Sequence, residues 1–224
     1  ILFRRIRIVR FFYYSIDHTG FSTGFFLYCR VGGNYPTICN FGEDNVEMKH
    51  YKVGIVGATG MVGQRFSLLL ENHPWFEVAA LAASGRNRGK TYEEACAGRW
   101  KMTAPMPEKF KDMVMYDATE DAEEIAAKVD FIFCAVDMKK DEIRALEEKY
   151  AKLECPVCSN NSAHRMTPDV PMIVPELNPQ HADIIEYQRK RLGTKVGFVT
   201  VKPNCSIQSY VPALTALYDL KPSR

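Results

Sequence analysis

The stretch KVGIVGATGMVGQRF, residues 52–66, decides the fold. KVGIVG (52–57) is a short apolar strand. The segment that follows places Val62, Phe66, Leu69 and Leu70 on one helical face, and Pro74 lies beyond its end. Between strand and helix, Gly57, Gly60 and Gly63 stand in a G-x-x-G-x-x-G spacing. Glycines at such a junction permit a tight turn and let the backbone approach a pyrophosphate. The helix N-terminus then offers free N–H groups and the positive end of its dipole to the anion. A glycine triplet alone is weak evidence, and glycines used only to pack strand against helix are the plainer alternative. The position after an apolar strand and before an amphipathic helix favours a dinucleotide turn.

Outward from this unit the alternation continues. Residues 76–84 (FEVAALAAS), 113–117 (MVMYD), 130–136 (DFIFCAV), 156–160 (PVCSN), 170–176 (VPMIVPE) and 197–201 (GFVTV) read as strands. Charged helices are expected near 120–128 and 139–153, and a closing helix over 205–219 contains Pro212, a candidate kink. Strands that are apolar throughout and alternate with helices predict a parallel sheet covered on both faces. The expected fold class is α/β, a doubly wound, Rossmann-type, mostly parallel sheet.

The second strand ends in Ser84-Gly-Arg86-Asn-Arg88-Gly-Lys90. An enzyme that uses NAD usually places an acidic residue here for the ribose 2′-hydroxyl. A serine hydroxyl and several cations suit a 2′-phosphate instead, which favours NADP; a solvated basic loop is the alternative.

Thr200-Val-Lys-Pro-Asn204-Cys205-Ser206 lies at a strand-to-helix junction. A cysteine at a helix N-terminus presents its thiolate to the dipole and to exposed N–H groups. Such a thiolate can attack an aldehyde to give a thiohemiacetal. Hydride transfer to a nicotinamide then gives a thioester, whose acyl group passes to phosphate, water or coenzyme A. Asn204 could donate a hydrogen bond to a substrate oxygen.

Bulk properties exclude other classes. The 224 residues are 46% hydrophobic and 25% charged, as in ordinary soluble proteins, and the net charge of +2 gives no reason to expect nucleic acid or an anionic membrane as partner. Seven scattered cysteines without a secretory pattern point to a reducing, cytoplasmic compartment. Residues 1–47 lack sustained periodicity and read as an atypical extension, disordered or artefactual. The expected organisation is a Rossmann-type NADP-binding domain over 48–204, followed at 205–224 by the nucleophile-bearing helix and the start of a second domain.

GATGMVGQRF, LAASGRNRGK, SNNSAHRM, VPMIVPELN and PNCS occur in the order seen in aspartate-semialdehyde dehydrogenases. Between residue 49 and about residue 222 the chain resembles this family, in particular its archaeal and fungal branch. The resemblance implies reversible, NADPH-dependent reduction of β-aspartyl phosphate to aspartate semialdehyde with release of phosphate, a step toward lysine, threonine and methionine. It implies Cys205 as nucleophile, Asn204 beside the substrate, and Arg165 as the guanidinium that grips the acyl phosphate or free phosphate. Gly57, Thr59, Gly60, Met61, Val62 and Gly63 fall on the pyrophosphate turn, and Ser84 and Arg86 fall near the adenosine 2′-phosphate. The partners implied are these small molecules, with no nucleic acid or membrane, and a homodimer or homotetramer for the full-length form.

Ile207, Asn161 and His164 depart from the family's usual residues. The family's acid–base histidine, second substrate arginine and dimer-forming region have no counterpart here. The chain is therefore expected to be a truncated, inactive form with exposed apolar surface. A malonyl-coenzyme A reductase-like acyl-CoA reductase, an N-acetyl-glutamyl-phosphate reductase and a non-catalytic NADP-binding fragment remain as alternatives.

Other candidates are set aside. Cys155-Pro-Val-Cys158 has redox or zinc spacing but no second pair, so no metal is expected. His164 and His181 are expected in surface or hydrogen-bonding roles, Cys134 in core packing, and Glu176 has no readable role.

Overall fold

A computed structural model describes residues 50–175 and 177–219, with the backbone of four short strands nearer the N-terminus. Those strands are β1 (Ser15–Asp17), β2 (Gly20–Ser22), β3 (Tyr28–Cys29) and β4 (Thr37–Ile38), which form two antiparallel pairs, β1 with β2 and β3 with β4. The expectation of disorder over 1–47 otherwise lies outside the described residues, as does Glu176.

The chain divides into two compact units. The larger comprises Met48–Met172 and Asp183–Lys202. Its centre is β5 (Tyr51–Val56), buried from Val53 onward on both faces, as a central parallel strand must be. β6 (Phe76–Ala83) and β7 (Tyr116–Asp117) extend the sheet to one side. β8 (Phe131–Cys134), β9 (Val157–Ser159) and β10 (Val199–Val201) extend it to the other. The order β7-β6-β5-β8-β9-β10, parallel at every pairing, is doubly wound with its reversal between β5 and β8.

The helices follow from side-chain spacing. α1 (Met61–Leu70) buries Gly63, Gln64, Phe66, Ser67 and Leu70, and Phe66 stacks on Phe133 of β8. α2 (Tyr92–Cys96) opens with a capping box between Thr91 and Glu94, and α3 (Glu108–Lys111) is a single turn. α4 (Ala122–Lys128) precedes β8. α5 (Lys140–Lys152) buries Ile143, Leu146, Glu147, Tyr150 and Ala151, the i, i+3, i+4, i+7, i+8 stripe of a helix laid on a sheet. α6 (Ile185–Leu192) ends at Gly193, whose φ of 74° closes the helix through a bond from its N–H to Arg189 O.

The smaller unit includes Ile173–Ala182 and the run from Pro203 on, with α7 (Cys205–Asp219) continuing through Pro212.

Three strand expectations are corrected. Residues 113–117 yield only Tyr116–Asp117, with Val114 in an isolated antiparallel bridge to Thr91. Of the stretch expected as a strand at 170–176, the described residues 170–175 form none: Met172 makes one parallel bridge to Val201, because Pro171 and Pro175 lack the N–H groups a ladder needs. Residues 197–201 form strand only over Val199–Val201. The helix α6, absent from the sequence reading, forms on IEYQRKRL (185–192), where Gln188 is buried and sends Nε2 to the carbonyls of Asp169 and Val199.

Candidate functional site

The three glycines of the turn do three different things. Gly57 has φ +97°, and a Cβ there would lie 2.4 Å from Ala135 O, just past β8. It is the tight turn, set against the strand on the other side of the reversal. A Cβ on Gly63 would lie 2.2 Å from Gly57 O, so this glycine lets α1 press against the turn. Gly60 has an ordinary φ of −75°, is exposed, and would meet only Gly57 O at 3.4 Å. Nothing inside the protein demands a glycine there. The missing side chain instead leaves open the outer face of a helix N-terminus that has no side-chain cap and no acid in its first turn. That is a cradle for an anion approaching the backbone.

The turn and the end of the neighbouring strand are joined. Gly57 N and Ala58 N both donate to Ala82 O, at 2.8 and 2.9 Å, two residues before Ser84. Ser84 is exposed and caps a 3-10 turn over Gly85–Asn87. The structure sorts the cations of this loop. Arg88 is tied to Glu120 at 2.9 Å and to Asp121. Arg86 is exposed and has no ion pair among the described residues. The residues therefore suit a dinucleotide with a charged 2′ substituent: an open anion cradle at Gly60 and an uncommitted guanidinium at Arg86.

Gln64 is a residue the sequence reading missed. Only 1% exposed, its Nε2 donates to Thr59 O and Arg99 O, both at 2.9 Å, while its Oε1 accepts from Lys101 N at 2.8 Å. Tyr92 adds a second brace through an O–H bond of 2.9 Å to Ala58 O. Both side chains satisfy backbone groups that a buried turn would otherwise leave unpaired.

At the carboxyl ends of β9 and β10, Lys202 N donates to Ser159 O at 3.0 Å, and Arg165 Nε donates to Lys202 O at 3.1 Å. Arg165 is half-buried, and among the described residues its Nη1 and Nη2 make no hydrogen bond. Glu147, fully buried on α5, accepts from Ser159 Oγ at 2.5 Å and from Asn161 Nδ2 at 3.0 Å, which holds the start of the loop carrying Arg165.

In the smaller unit, Asn204 is the N-cap of α7. Its Oδ1 accepts from Ser206 N at 2.9 Å and its carbonyl from Gln208 N at 3.2 Å. Nδ2, the only donor of that side chain, makes no hydrogen bond among the described residues. Cys205 is exposed at the first position of the helix, with Sγ 3.8 Å from Asn204 Oδ1.

The other described cysteines differ. Cys96, Cys134 and Cys155 are buried, and all five described cysteines are free. Burial pushes the Cys155 and Cys158 thiols up to about 12 and also raises the Cys134 thiol well above its ordinary value. Among the described residues no group of metal-ligating side chains gathers, and no helix is long and apolar enough to cross a membrane.

The family described as semialdehyde dehydrogenase, NAD binding domain, matches residues 52–185. The chain belongs to this family. It is 43% identical over 167 residues to the aspartate-semialdehyde dehydrogenase of Methanothermobacter thermautotrophicus, covering 75% of this chain and 46% of that protein. It is 41% identical over 166 residues to the enzyme of that name from Aspergillus fumigatus, covering 74% and 44%. Among solved structures it is similar to aspartate semialdehyde dehydrogenase with NADP from Candida albicans, with a TM-score of 0.66 and 36% identity over 77% of this chain and 48% of that one. The chain spans about half the length of the relatives it matches.

Within this semialdehyde dehydrogenase domain, the packing selects between the two roles expected of His164. It is only 1% exposed, and its Nδ1 lies 3.1 Å from Thr167 Oγ1, a hydrogen-bonding role. His181 lies in the 3-10 turn over Pro179–Ile184, and its N–H donates to Asn178 O at 2.9 Å. Cys134, at 0% exposure, sits in the core as its apolar strand predicts.

Proposed function

We propose that this chain carries the cofactor site and the nucleophile of an NADP-dependent aspartate-semialdehyde dehydrogenase. The observation that carries the reading is Cys205: the one exposed thiol among the described residues, at an asparagine-capped helix N-terminus, in a chain of the semialdehyde dehydrogenase family. NADP is supported by the uncommitted Arg86 at the end of β6 and by the likeness to an NADP-bound relative.

Cys205, as thiolate, attacks the aldehyde carbon and forms the C–S bond of a thiohemiacetal. Asn204 Nδ2 donates to the resulting oxyanion. When bound, NADP supplies the hydride acceptor that takes the adduct to a thioester. Arg165 holds inorganic phosphate through Nη1 and Nη2; phosphate oxygen attacks the acyl carbon, the C–S bond breaks, and the Cys205 thiolate is released. Gly57, Thr59, Gly60, Met61, Val62 and Gly63 form the pyrophosphate cradle, and Ser84 and Arg86 hold the 2′-phosphate. For the whole enzyme we propose a cytoplasmic location, which the free described cysteines favour, and a homodimer or homotetramer, which the family resemblance implies.

The test is phosphate-dependent reduction of NADP by aspartate semialdehyde, run beside Cys205→Ala. Reduction that needs phosphate and vanishes in the variant is the supporting result. Reduction that survives in the variant, or that accepts coenzyme A in place of phosphate, would sink the reading. A chain that binds NADP and is alkylated at Cys205 without turning over would assign the remaining groups to the half of the relatives that this chain does not span.

A further inference from the structure

The end of β6 is held from two sides. On one flank, Arg88 reaches Glu120 and Asp121. On the other, Arg99, beyond α2, sends Nη2 to Asn87 Oδ1 at 3.3 Å and to Ala95 O. Asn87 is 4% exposed and is the last residue of the turn that presents Ser84 and Arg86. Its N–H donates to Ser84 O at 2.9 Å, so Asn87 closes that turn. The carbonyl of Arg99 accepts from Nε2 of the buried Gln64, which also donates to Thr59 O of the pyrophosphate turn. Arg99 thus has its backbone tied, through Gln64, to the pyrophosphate turn and its side chain tied to the turn that carries Ser84 and Arg86.

We propose that Arg99, acting through Asn87, is a positioning residue for selection of the 2′-phosphate: it fixes the Ser84–Asn87 turn so that Arg86 is presented to that group. The inference rests on the NADP reading given above. The physical argument is one of preorganisation. Arg86 makes no ion pair among the described residues, so nothing on its own side chain restrains it; the turn beneath it must supply the orientation. A cation on a loose turn loses conformational freedom on binding phosphate, and a cation on a braced turn loses less. The brace runs through Nη2 of Arg99, which donates to both Asn87 Oδ1 and Ala95 O.

Arg99→Met removes the side-chain brace and leaves the backbone carbonyl for Gln64. Dissociation constants of the full chain for NADP and for NAD are measured by calorimetry. Arg99→Met is expected to weaken NADP binding roughly fivefold, the scale of one hydrogen bond, with NAD binding changed less than about twofold. Asn87→Ala removes the same contact from the other side and is expected to give the same selective loss. Arg86→Ala is expected to weaken NADP binding roughly thirtyfold, and adding Arg99→Met to it should bring no further selective loss. Full additivity in the double variant would overturn the inference, since Arg99 would then act independently of Arg86. Equal losses for NADP and NAD would also overturn it, leaving a general structural role. A wild-type chain that binds NAD as tightly as NADP would overturn the underlying cofactor reading and this inference with it. A wild-type preference for NADP that depends on Arg86 and ignores Arg99 would overturn this inference alone.

Discussion

At Gly57 one added carbon would sit 2.4 Å from a backbone carbonyl just past the neighbouring strand, whereas the Cys205 side chain is exposed and its Sγ lies 3.8 Å from Asn204 Oδ1. The cofactor turn is specified at Gly57 and Gly63 by exclusion: backbone of Ala135 and Val136, and of Gly57 and Ala58, leaves no room for a side chain. The nucleophile is specified by presentation: a cap fixes the first turn of α7 and leaves the thiol outside. The first kind of site resists substitution because packing has no slack. The second tolerates substitution structurally and fails only in chemistry.

The largest expected effect separates the glycines of the first site. Gly57→Ala forces a side chain into a positive-φ backbone and into Ala135 O, and should cost about 3 kcal/mol or more of stability. Gly60→Ala meets nothing closer than 3.4 Å and should cost under about 1 kcal/mol, yet weaken dinucleotide binding. Urea melts with and without NADP check both. Equal destabilisation by the two variants would break the division of roles drawn for the turn.

At the second site the cap and the donor of Asn204 can be separated. Asn204→Ala removes the bond from Ser206 N and should cost about 1 kcal/mol, read as fraying of α7 by hydrogen exchange. Asn204→Asp keeps an acceptor for that bond and removes Nδ2, so α7 should retain its protection while any turnover falls. Loss of protection in the aspartate variant would show that the cap is not what holds the helix start.

The smallest effect concerns the buried thiols. Cys155 and Cys158 are raised from 9.0 to about 12 by burial, so the folded state favours the protonated form. Their stabilisation is complete below the unfolded value near 9.0 and is lost as pH rises toward about 12. Urea midpoints should therefore decline through that window. In the native state at neutral pH, iodoacetamide should modify Cys205 ahead of Cys96, Cys134, Cys155 and Cys158. Prior labelling of Cys155 or Cys158 would contradict the contrast between presented and buried cysteines.

Sequence alone determined the glycine turn, the doubly wound sheet and the junction that carries Cys205. Each rests on local physics: a positive φ, a run of apolar strand residues, or a helix start reports itself within a few positions of the chain. Tertiary structure decided the rest. The segment 170–176 reads as a strand by composition, but its prolines leave a single bridge. Gln64, 35 residues from the Arg99 carbonyl it reaches, looks in sequence like any polar helix residue. Of the cations after β6, proximity to Glu120 and Asp121 commits Arg88 and leaves Arg86 unpaired among the described residues. Local conformational preference is written in neighbouring residues, whereas the satisfaction of buried polar groups and the pairing of charges depend on which distant segments the sheet brings together.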